Sequence, residues 1–251
     1  MEPPIPPLSA VEFAYCGVII VLSYALRGST GFGAAAAMPL LALVVPVKVL
    51  VPTWTLLGLA SSATIVVHDW RAIAARDLLR TLPTGLIGIA IGLYAFKTLD
   101  AATLARGLGL LVVAYGAYSL WTTMRPAIMR MPPARLVAPV AGILGGAVGT
   151  TFGTMASIFF AIYFDAIRLA KESFRATMSA MILTLSVVRG LGYFVVGEFG
   201  RDVLIAFALA FPLMLVGIFI GDRFHGGFSD VGFRRMVAAV LMVSGLALLA
   251  R

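Results

Sequence analysis

Apolar segments close to twenty residues long follow one another through this 251-residue chain, from Ala10 to Ala250. The stretches between them reach only about twelve residues, which leaves no room for a soluble domain. Apolar residues make up 61% of the chain and charged residues 12%, a composition outside the range of soluble globular proteins. The sequence therefore predicts an all-α, polytopic membrane protein with eight to ten membrane segments.

A duplication divides the chain into two halves. At an offset of 129 residues, Pro83, Gly88, Gly92, Arg106 and Gly116 fall on Pro212, Gly217, Gly221, Arg235 and Gly245. Upstream, Phe32-Gly33 falls on Phe152-Gly153 at an offset of 120, so the second half carries nine extra residues, roughly 13 Å of helix. We therefore interpret residues 1–124 and 136–251 as two membrane repeats that are joined by a cytoplasmic linker at 125–135.

Each repeat is predicted to contain a pair of short segments followed by three longer helices. The segments are 9–26, 34–45, 47–67, 78–96 and 101–123 in the first repeat, and 136–148, 154–164, 169–196, 203–220 and 234–249 in the second. The second member of each short pair is only about 18 Å long, too short for a ~30 Å hydrocarbon core. We expect these members to be half-helices that form broken hairpins.

The basic residues predict the orientation of the repeats. If each short pair forms a hairpin or two crossings, each repeat crosses the membrane an odd net number of times and the repeats are inverted. Twelve basic residues then gather on one side, in loops at 71–80, 125–135, 168–175 and 223–235. A single crossing for each short pair would divide them six against six. Because cytoplasmic loops are rich in Lys and Arg, we predict inverted repeats with both termini outside the cytoplasm.

Two clusters of glycine and hydroxyl residues interrupt the apolar pattern at matched positions. The first runs from Arg27 to Gly33, and the second runs from Gly145 to Gly153. In hydrocarbon, irregular backbone is tolerated only where it is buried in protein or lines a polar cavity. A half-helix that begins after such a break directs its free N–H groups and the positive end of its dipole into the break. The two clusters therefore predict one anion site, formed where the two repeats meet.

The clusters and two arginines supply the residues that we predict to bind substrate. They are Arg27, Gly28, Ser29, Thr30, Gly31, Phe32, Gly33, Gly149, Thr150, Thr151, Phe152, Gly153, Thr154, Arg175 and Arg189. Arg189 lies in an apolar run, where an arginine either serves function or extends its side chain toward the nearer interface. Arg27 either charges the site or reaches the cytoplasmic surface. The runs Gly142-x-x-Gly145 and Gly145-x-x-x-Gly149 are also typical of close helix packing.

Other features argue against other classes of function. The basic residues, which give a net charge of +8, lie mostly in short loops and indicate topology, so we expect no nucleic-acid partner. Few carboxylates lie in the apolar stretches, which disfavours a cation pathway. Cys16 is the single cysteine, His68 and His225 lack metal-ligand spacing, and no Walker or HExxH motif occurs. We expect no enzyme activity, catalytic residue, metal or cofactor. The expected partners are the bilayer and a small anion, and a homodimer is left open.

The glycine pattern resembles that of the TauE/SafE sulfite exporter family, also called the four-toluene sulfonate uptake permeases. The resemblance rests on Gly28-x-x-Gly31-x-Gly33 followed six residues later by Pro39-Leu40, on Gly142-x-x-Gly145 to Gly153, and on the duplicated layout. It implies a multi-pass protein of the bacterial inner membrane that moves a small sulfonate or sulfur oxyanion, often outward. Where the family's glycine run continues, this chain has Ala34 to Ala37, which predicts a tighter first break.

The leading hypothesis is a secondary transporter, an exporter of such an anion, that works by alternating access of the two repeats. A passive anion channel that uses the same helix ends is one alternative, and a carrier of a small carboxylate is another. Because no ATP-binding motif occurs, we expect the substrate gradient, the membrane potential or coupled protons to supply the energy.

Overall fold

The structure is a computed structural model that describes residues 9–30, 36–124, 133–223 and 230–250. Within these ranges the chain forms ten α-helices and no β-strand. The helices are α1 (Ala10–Thr30), α2 (Ala37–Leu41), α3 (Val47–Asp69), α4 (Ala75–Thr98), α5 (Ala101–Met124), α6 (Ala134–Phe152), α7 (Ala156–Ala166), α8 (Lys171–Val196), α9 (Arg201–Arg223) and α10 (Asp230–Leu249). A 3-10 turn at Trp70–Ala72 lies between α3 and α4.

Five stretches of the described helices are long and apolar enough to cross a membrane. They are Ala10–Arg27, Ala75–Thr98, Ala101–Thr122, Glu172–Val196 and Arg201–Gly221. Shorter apolar helices lie at Val47–Ala63, Leu136–Phe152, Ala156–Ala166 and Val237–Leu249. The predicted class, an all-α polytopic membrane protein, is confirmed.

The six longer helices agree with the predicted segments to within four residues at each end. The second member of the first short pair does not agree with the prediction. It is predicted at 34–45, but α2 has only five residues, and Ala42 to Val44 form turns. Val45 precedes Pro46, and the proline ring disfavours a helical backbone in the residue before it.

The two glycine clusters are also less irregular than predicted. Gly28, Ser29 and Thr30 continue α1, whereas Gly31, Phe32 and Gly33 lie outside the described residues. In the second cluster, α6 continues through Phe152, and only Gly153 to Met155 interrupt the helix. The expected helix end at 148 is therefore wrong, because the small residues serve close packing against neighbouring helices instead of breaking α6.

The chain divides into two compact units, and each combines helices from both sequence repeats. Unit 1 contains α1, α2, α5, α10, the start of α3 to Leu50 and the end of α9 from Leu209. Unit 2 contains α4, α6, α7, α8, the remainder of α3 and α9 up to Ala208. The boundaries of the sequence repeats stay a prediction.

In unit 1, α5 and α10 are equivalent by the offset of 129, and their contacts are reciprocal. A Cβ placed on Gly116 would lie 2.8 Å from Cγ of Met242 and 3.1 Å from the carbonyl oxygen of Ala238. A Cβ placed on Gly245 would lie 2.7 Å from Cγ2 of Val113 and 2.8 Å from the carbonyl oxygen of Gly109. The helices are therefore antiparallel. The residues that contact Gly116 on α10 are equivalent, by the offset of 129, to the residues that contact Gly245 on α5. A two-fold axis between the helices generates this reciprocity.

The packing of α9 on α1 inside unit 1 resembles the packing of α4 on α6 inside unit 2. In unit 2, Gly88 and Gly92 of α4 lie against the backbone of Ile143 and Ala147. In unit 1, the equivalent glycines of α9, Gly217 and Gly221, lie against Val21 and Ala25. The contacts therefore align α1 with α6 at an offset of 122. In this register Arg27 aligns with Gly149, whereas the offset of 120 aligns it with Ala147.

In unit 2, α6 and α7 form the hairpin that the sequence predicts. A Cβ on Gly145 would lie 2.6 Å from the ring of Phe160, and one on Gly149 would lie 2.7 Å from Cβ of Ala156. The pairing therefore runs antiparallel. The core beneath the hairpin is apolar and includes Phe160, Phe164 and Met181.

The helices α4, α6 and α8 run parallel in unit 2, so their N-termini share one end. Tyr163 at the end of α7 donates to Oδ1 of Asp77 at 2.9 Å, and the N–H of Ala74 donates to Oγ1 of Thr177 at 2.9 Å. A Cβ on Gly142 of α6 would lie 2.7 Å from the carbonyl oxygen of Thr81. Three of the four basic loops therefore begin or end at this end of unit 2. This grouping supports the predicted orientation, which stays a prediction.

We expect Gly92→Ala to destabilise the protein, because the added methyl group meets the carbonyl oxygen of Ala147 at 2.7 Å. Overpacking of this kind costs about 1–3 kcal/mol, and a melting curve of the purified protein in detergent measures it. Gly221→Ala should have a similar effect if the duplication is structural, since its methyl group would meet the carbonyl oxygen of Ala25. Gly200→Ala, in open space, is the control. Equal melting temperatures for all three variants would contradict the packing argument.

We expect a reporter enzyme that is active only outside the cytoplasm to be active when it is fused after Arg251. The same reporter inserted in the linker at 125–132 should be inactive and serves as the control. Activity in whole cells measures both. An inactive fusion at the C-terminus together with an active fusion in the linker would reverse the predicted orientation.

Candidate functional site

The end of α6 is shaped by two residues with left-handed backbone. Gly153 has φ 70°, and its N–H donates to the carbonyl oxygen of Gly149 at 3.0 Å, the usual glycine ending of a helix. Met155 has φ 63°, which is costly for a long side chain. With Thr154 between them, these residues turn the chain from α6 into α7 within three positions.

Two side chains of α8 donate to the last turn of α6. Nη1 of Arg189 donates to the carbonyl oxygen of Gly149 at 2.8 Å, and the hydroxyl of Tyr193 donates to the carbonyl oxygen of Thr150. The last carbonyl groups of a helix carry the negative end of its dipole, so a cation and a hydroxyl donor stabilise them. Because Arg189 and Tyr193 are four residues apart, both lie on the same face of α8.

Arg189 is inside unit 2. Its exposed fraction is only 7%, and Nη2 also donates to Oγ of Ser186 at 3.2 Å. Hydrogen bonds of a charged donor offset part of the cost of removing the guanidinium from water. Of the two interpretations of Arg189 from the sequence, the structure shows the buried side chain and not one that extends to an interface.

A small cavity lies between the α6–α7 hairpin and α8, with a volume of about 20 Å³. It is lined by Ile89, Gly145, Gly146, Gly149, Thr150, Ala156, Ile182, Leu185 and Arg189. This volume holds about one water molecule. Ala156 is the first residue of α7, so the positive end of the α7 dipole is directed at the cavity.

Thr150 lines the cavity and has a buried hydroxyl group. Its side chain is 1% exposed, and Oγ1 has no hydrogen-bond partner among the residues that the structure describes. A buried hydroxyl without a partner costs roughly 1–3 kcal/mol, so such a group usually indicates a site for water or ligand. A guanidinium, a hydroxyl and a helix N-terminus around one cavity form a site for a small anion.

The other residues predicted in the second cluster do not line the cavity. Oγ1 of Thr151 donates to the carbonyl oxygen of Gly92 on α4 at 3.4 Å, which holds α6 against α4. Gly153 ends α6, Thr154 is buried in the turn, and Phe152 is half-buried. These residues shape the end of α6, and the cavity receives Gly149, Thr150 and Arg189 from the predicted set.

The residues predicted in the first cluster belong to unit 1. The guanidinium of Arg27 lies 5.9 Å from the centre of the Tyr24 ring, a cation–π contact within α1. The backbone of Gly28, Ser29 and Thr30 continues α1, and Gly31 to Gly33 fall outside the described residues. The role of this cluster in binding stays a prediction.

Arg175 and Arg189 are not neighbours. Both belong to α8, but Arg175 is fourteen residues nearer to its N-terminus, which is roughly 21 Å along the helix. The cavity is lined by Arg189. Within the described residues, no group of three or more His, Cys, Asp or Glu side chains could hold a metal ion.

Sequence reasoning missed several residues of the site. Tyr193 and Ser186 lie four residues after and three residues before Arg189, so helical spacing from the buried arginine could have identified both. The apolar lining residues Ile89, Ile182 and Leu185 had no comparable signal, because they are typical of any membrane helix.

Comparison with known proteins identifies the family. The sequence profile described as "Sulfite exporter TauE/SafE" matches residues 16–248. The chain belongs to the TauE/SafE sulfite exporter family. As a TauE/SafE protein with several membrane-spanning helices, it is a multi-pass membrane transport protein, and the predicted resemblance is confirmed.

A curated relative agrees with this assignment. The chain is 27% identical over 210 residues to a protein of Cupriavidus necator (strain H16) that is named "Probable sulfite/organosulfonate exporter TauE". The alignment covers 81% of this TauE/SafE chain and 79% of the relative. No solved structure matches the chain.

We expect Tyr193→Phe to lower the melting temperature in detergent, because the variant leaves the carbonyl oxygen of Thr150 without its buried donor. Loss of one buried hydrogen bond costs about 1 kcal/mol, or a few degrees for a chain of this size. Tyr94→Phe is the matched control, since Tyr94 is 73% exposed on α4. If the two variants have the same melting temperature, the hydrogen bond from Tyr193 to Thr150 does not stabilise the end of α6.

Proposed function

We propose that this protein is a secondary transporter that exports a small organosulfur anion or sulfur oxyanion, such as a sulfonate or sulfite. Membership of the TauE/SafE family supports the class of substrate, and so does the printed name of the Cupriavidus relative. The observation that carries the proposal is a cavity lined by Arg189 and by Thr150, whose buried hydroxyl has no hydrogen-bond partner among the described residues. An anion there would accept a charge-assisted hydrogen bond from Arg189 and a second bond from Thr150.

The small volume of the cavity suggests how transport proceeds. At about 20 Å³ the cavity is too small for a sulfonate, so its walls must separate before substrate binds. The hairpin of α6 and α7 forms one wall and α8 forms another. We propose alternating access, in which the two repeats move around a site that includes both glycine clusters. Arg27, Gly28, Ser29, Thr30, Gly31, Phe32 and Gly33 are the proposed contribution of the first cluster.

The proposed setting is the cytoplasmic membrane of a bacterium, with the lipid bilayer and a small anion as partners and no nucleic acid. We propose that the protein is not an enzyme and needs no cofactor, and a homodimer remains open. Export of an anion from an interior that is electrically negative is favourable by about 2.3 kcal/mol for each charge and each 100 mV. The membrane potential alone can therefore drive export without ATP.

Transport kinetics distinguish this proposal from its alternatives. In proteoliposomes, a carrier gives saturable uptake that is accelerated by unlabelled substrate on the opposite side, whereas a passive channel gives conductance without this acceleration. Labelled sulfite and methanesulfonate are the test substrates, and acetate and succinate are the carboxylate controls. Preference for the carboxylates would contradict the proposed substrate class.

We expect Arg189→Gln to reduce the uptake of methanesulfonate by roughly ten- to a hundredfold at low concentration, because a hydrogen bond from a charged donor contributes about 1.5–3 kcal/mol. Arg189→Lys keeps the charge and should retain part of the activity. Arg201→Gln is the matched control, because this side chain is exposed at the start of α9. Unchanged kinetics in Arg189→Gln would exclude Arg189 from the binding site.

A further inference from the structure

The charges at the cavity restrict the substrate more closely than the proposed function does. Among the described residues that line it, Arg189 carries the single formal charge and Thr150 the single side-chain hydroxyl. The remaining lining residues are glycines or apolar residues. The nearest other ionisable group on α8 is the neutral hydroxyl of Tyr193, which donates to α6. Asp77, Arg80 and Tyr163 lie at the opposite end of unit 2.

One guanidinium can neutralise one negative charge. In a buried site with few polar groups, a second negative charge on the ligand would lose its hydration without a partner, and the cost of such a charge is several kcal/mol. The N-terminus of α7 adds only about half of an elementary charge. A monoanion therefore matches the charge of the cavity, and a dianion exceeds it.

The apolar wall adds a second restriction. Ile89 of α4 and Ile182 and Leu185 of α8 offer no hydrogen bonds to oxygen atoms of a ligand. An inorganic oxyanion would face this wall with desolvated oxygen atoms, whereas removal of an alkyl substituent from water there is favourable. The wall therefore favours an anion with one charged head and one apolar side.

We infer that this site, on the function proposed above, selects monoanions with an apolar substituent, of which alkanesulfonates are the type, over dianions such as sulfate and thiosulfate. Sulfite then binds as hydrogen sulfite, its monoanionic form. The selection is made by the count of charges around Arg189 and by the apolar lining, and it is independent of the direction of transport.

Binding to the full-length protein in lipid nanodiscs tests the inference. Methanesulfonate and propanesulfonate should bind about tenfold or more tightly than sulfate and thiosulfate, which corresponds to at least 1.4 kcal/mol. Sulfite should bind more tightly on the acid side of its second ionisation than on the alkaline side. Methanesulfonate, which keeps one charge throughout, is the control for any effect of pH on the protein.

Two pairs of variants test the apolar wall and the hydroxyl of Thr150 separately. Ile182→Thr should weaken propanesulfonate more than methanesulfonate, whereas Ile91→Thr, at a position that is 51% exposed on α4, should change neither. Thr150→Val should weaken both sulfonates by about tenfold, because it removes the hydroxyl and keeps the shape of the side chain. Thr122→Val on α5, in unit 1, is its control and should leave both affinities unchanged.

The outcomes distinguish the inference from the proposed function. If sulfate or thiosulfate binds as tightly as the sulfonates, the restriction to monoanions is wrong, while transport of sulfur anions still holds. Equal loss of methanesulfonate and propanesulfonate affinity in Ile182→Thr would overturn the role of the apolar wall. If no sulfur anion binds or is transported, the proposed function fails together with the inference.

Discussion

Two hydrogen bonds from α8 to the last turn of α6 support the rest of the site. Arg189 and Tyr193 donate to consecutive carbonyl groups, those of Gly149 and Thr150. These contacts hold the end of α6 in unit 2 at the position from which the chain turns into α7. The bond from Tyr193 also fixes the backbone of Thr150, a residue that lines the cavity. Without them, a helix C-terminus would be buried in a membrane protein with its negative dipole end uncompensated.

The long helices, and Arg189 as a candidate residue, could be predicted from the sequence, because each depends on a strong and local cost. A run of apolar residues must cross the bilayer as a helix, and a charged residue inside such a run must find a partner. The location of the break could not be predicted in the same way. Glycine and threonine serve both helix ends and close packing, and only the contacts of Gly145 and Gly149 with α7 show that packing prevails until Phe152.

The duplication is visible in contacts that sequence alignment alone could not order. The reciprocal contacts of α5 and α10 follow the offset of 129. The contacts that α1 makes with α9 match those that α6 makes with α4 at an offset of 122. In the second register, Arg27 of α1 aligns with Gly149 of α6, the residue that accepts a hydrogen bond from Arg189. One repeat therefore carries its arginine on the first helix of the short pair, and the other receives its arginine from the long helix that follows.

In the proposed transport cycle, two acceptors compete for the guanidinium of Arg189. The carbonyl oxygen of Gly149 is a neutral acceptor, whereas a substrate oxyanion is charged and can pair with the guanidinium through two parallel hydrogen bonds. An anion that enters the cavity would draw the guanidinium away from α6 and weaken the contact that holds the α6–α7 hairpin against α8. A ligand shifts a conformational equilibrium only by its difference in affinity for the two states, and exchange of one acceptor for the other supplies such a difference. In the proposed cycle, the bond between Arg189 and Gly149 is therefore the contact through which a bound anion acts on the α6–α7 hairpin.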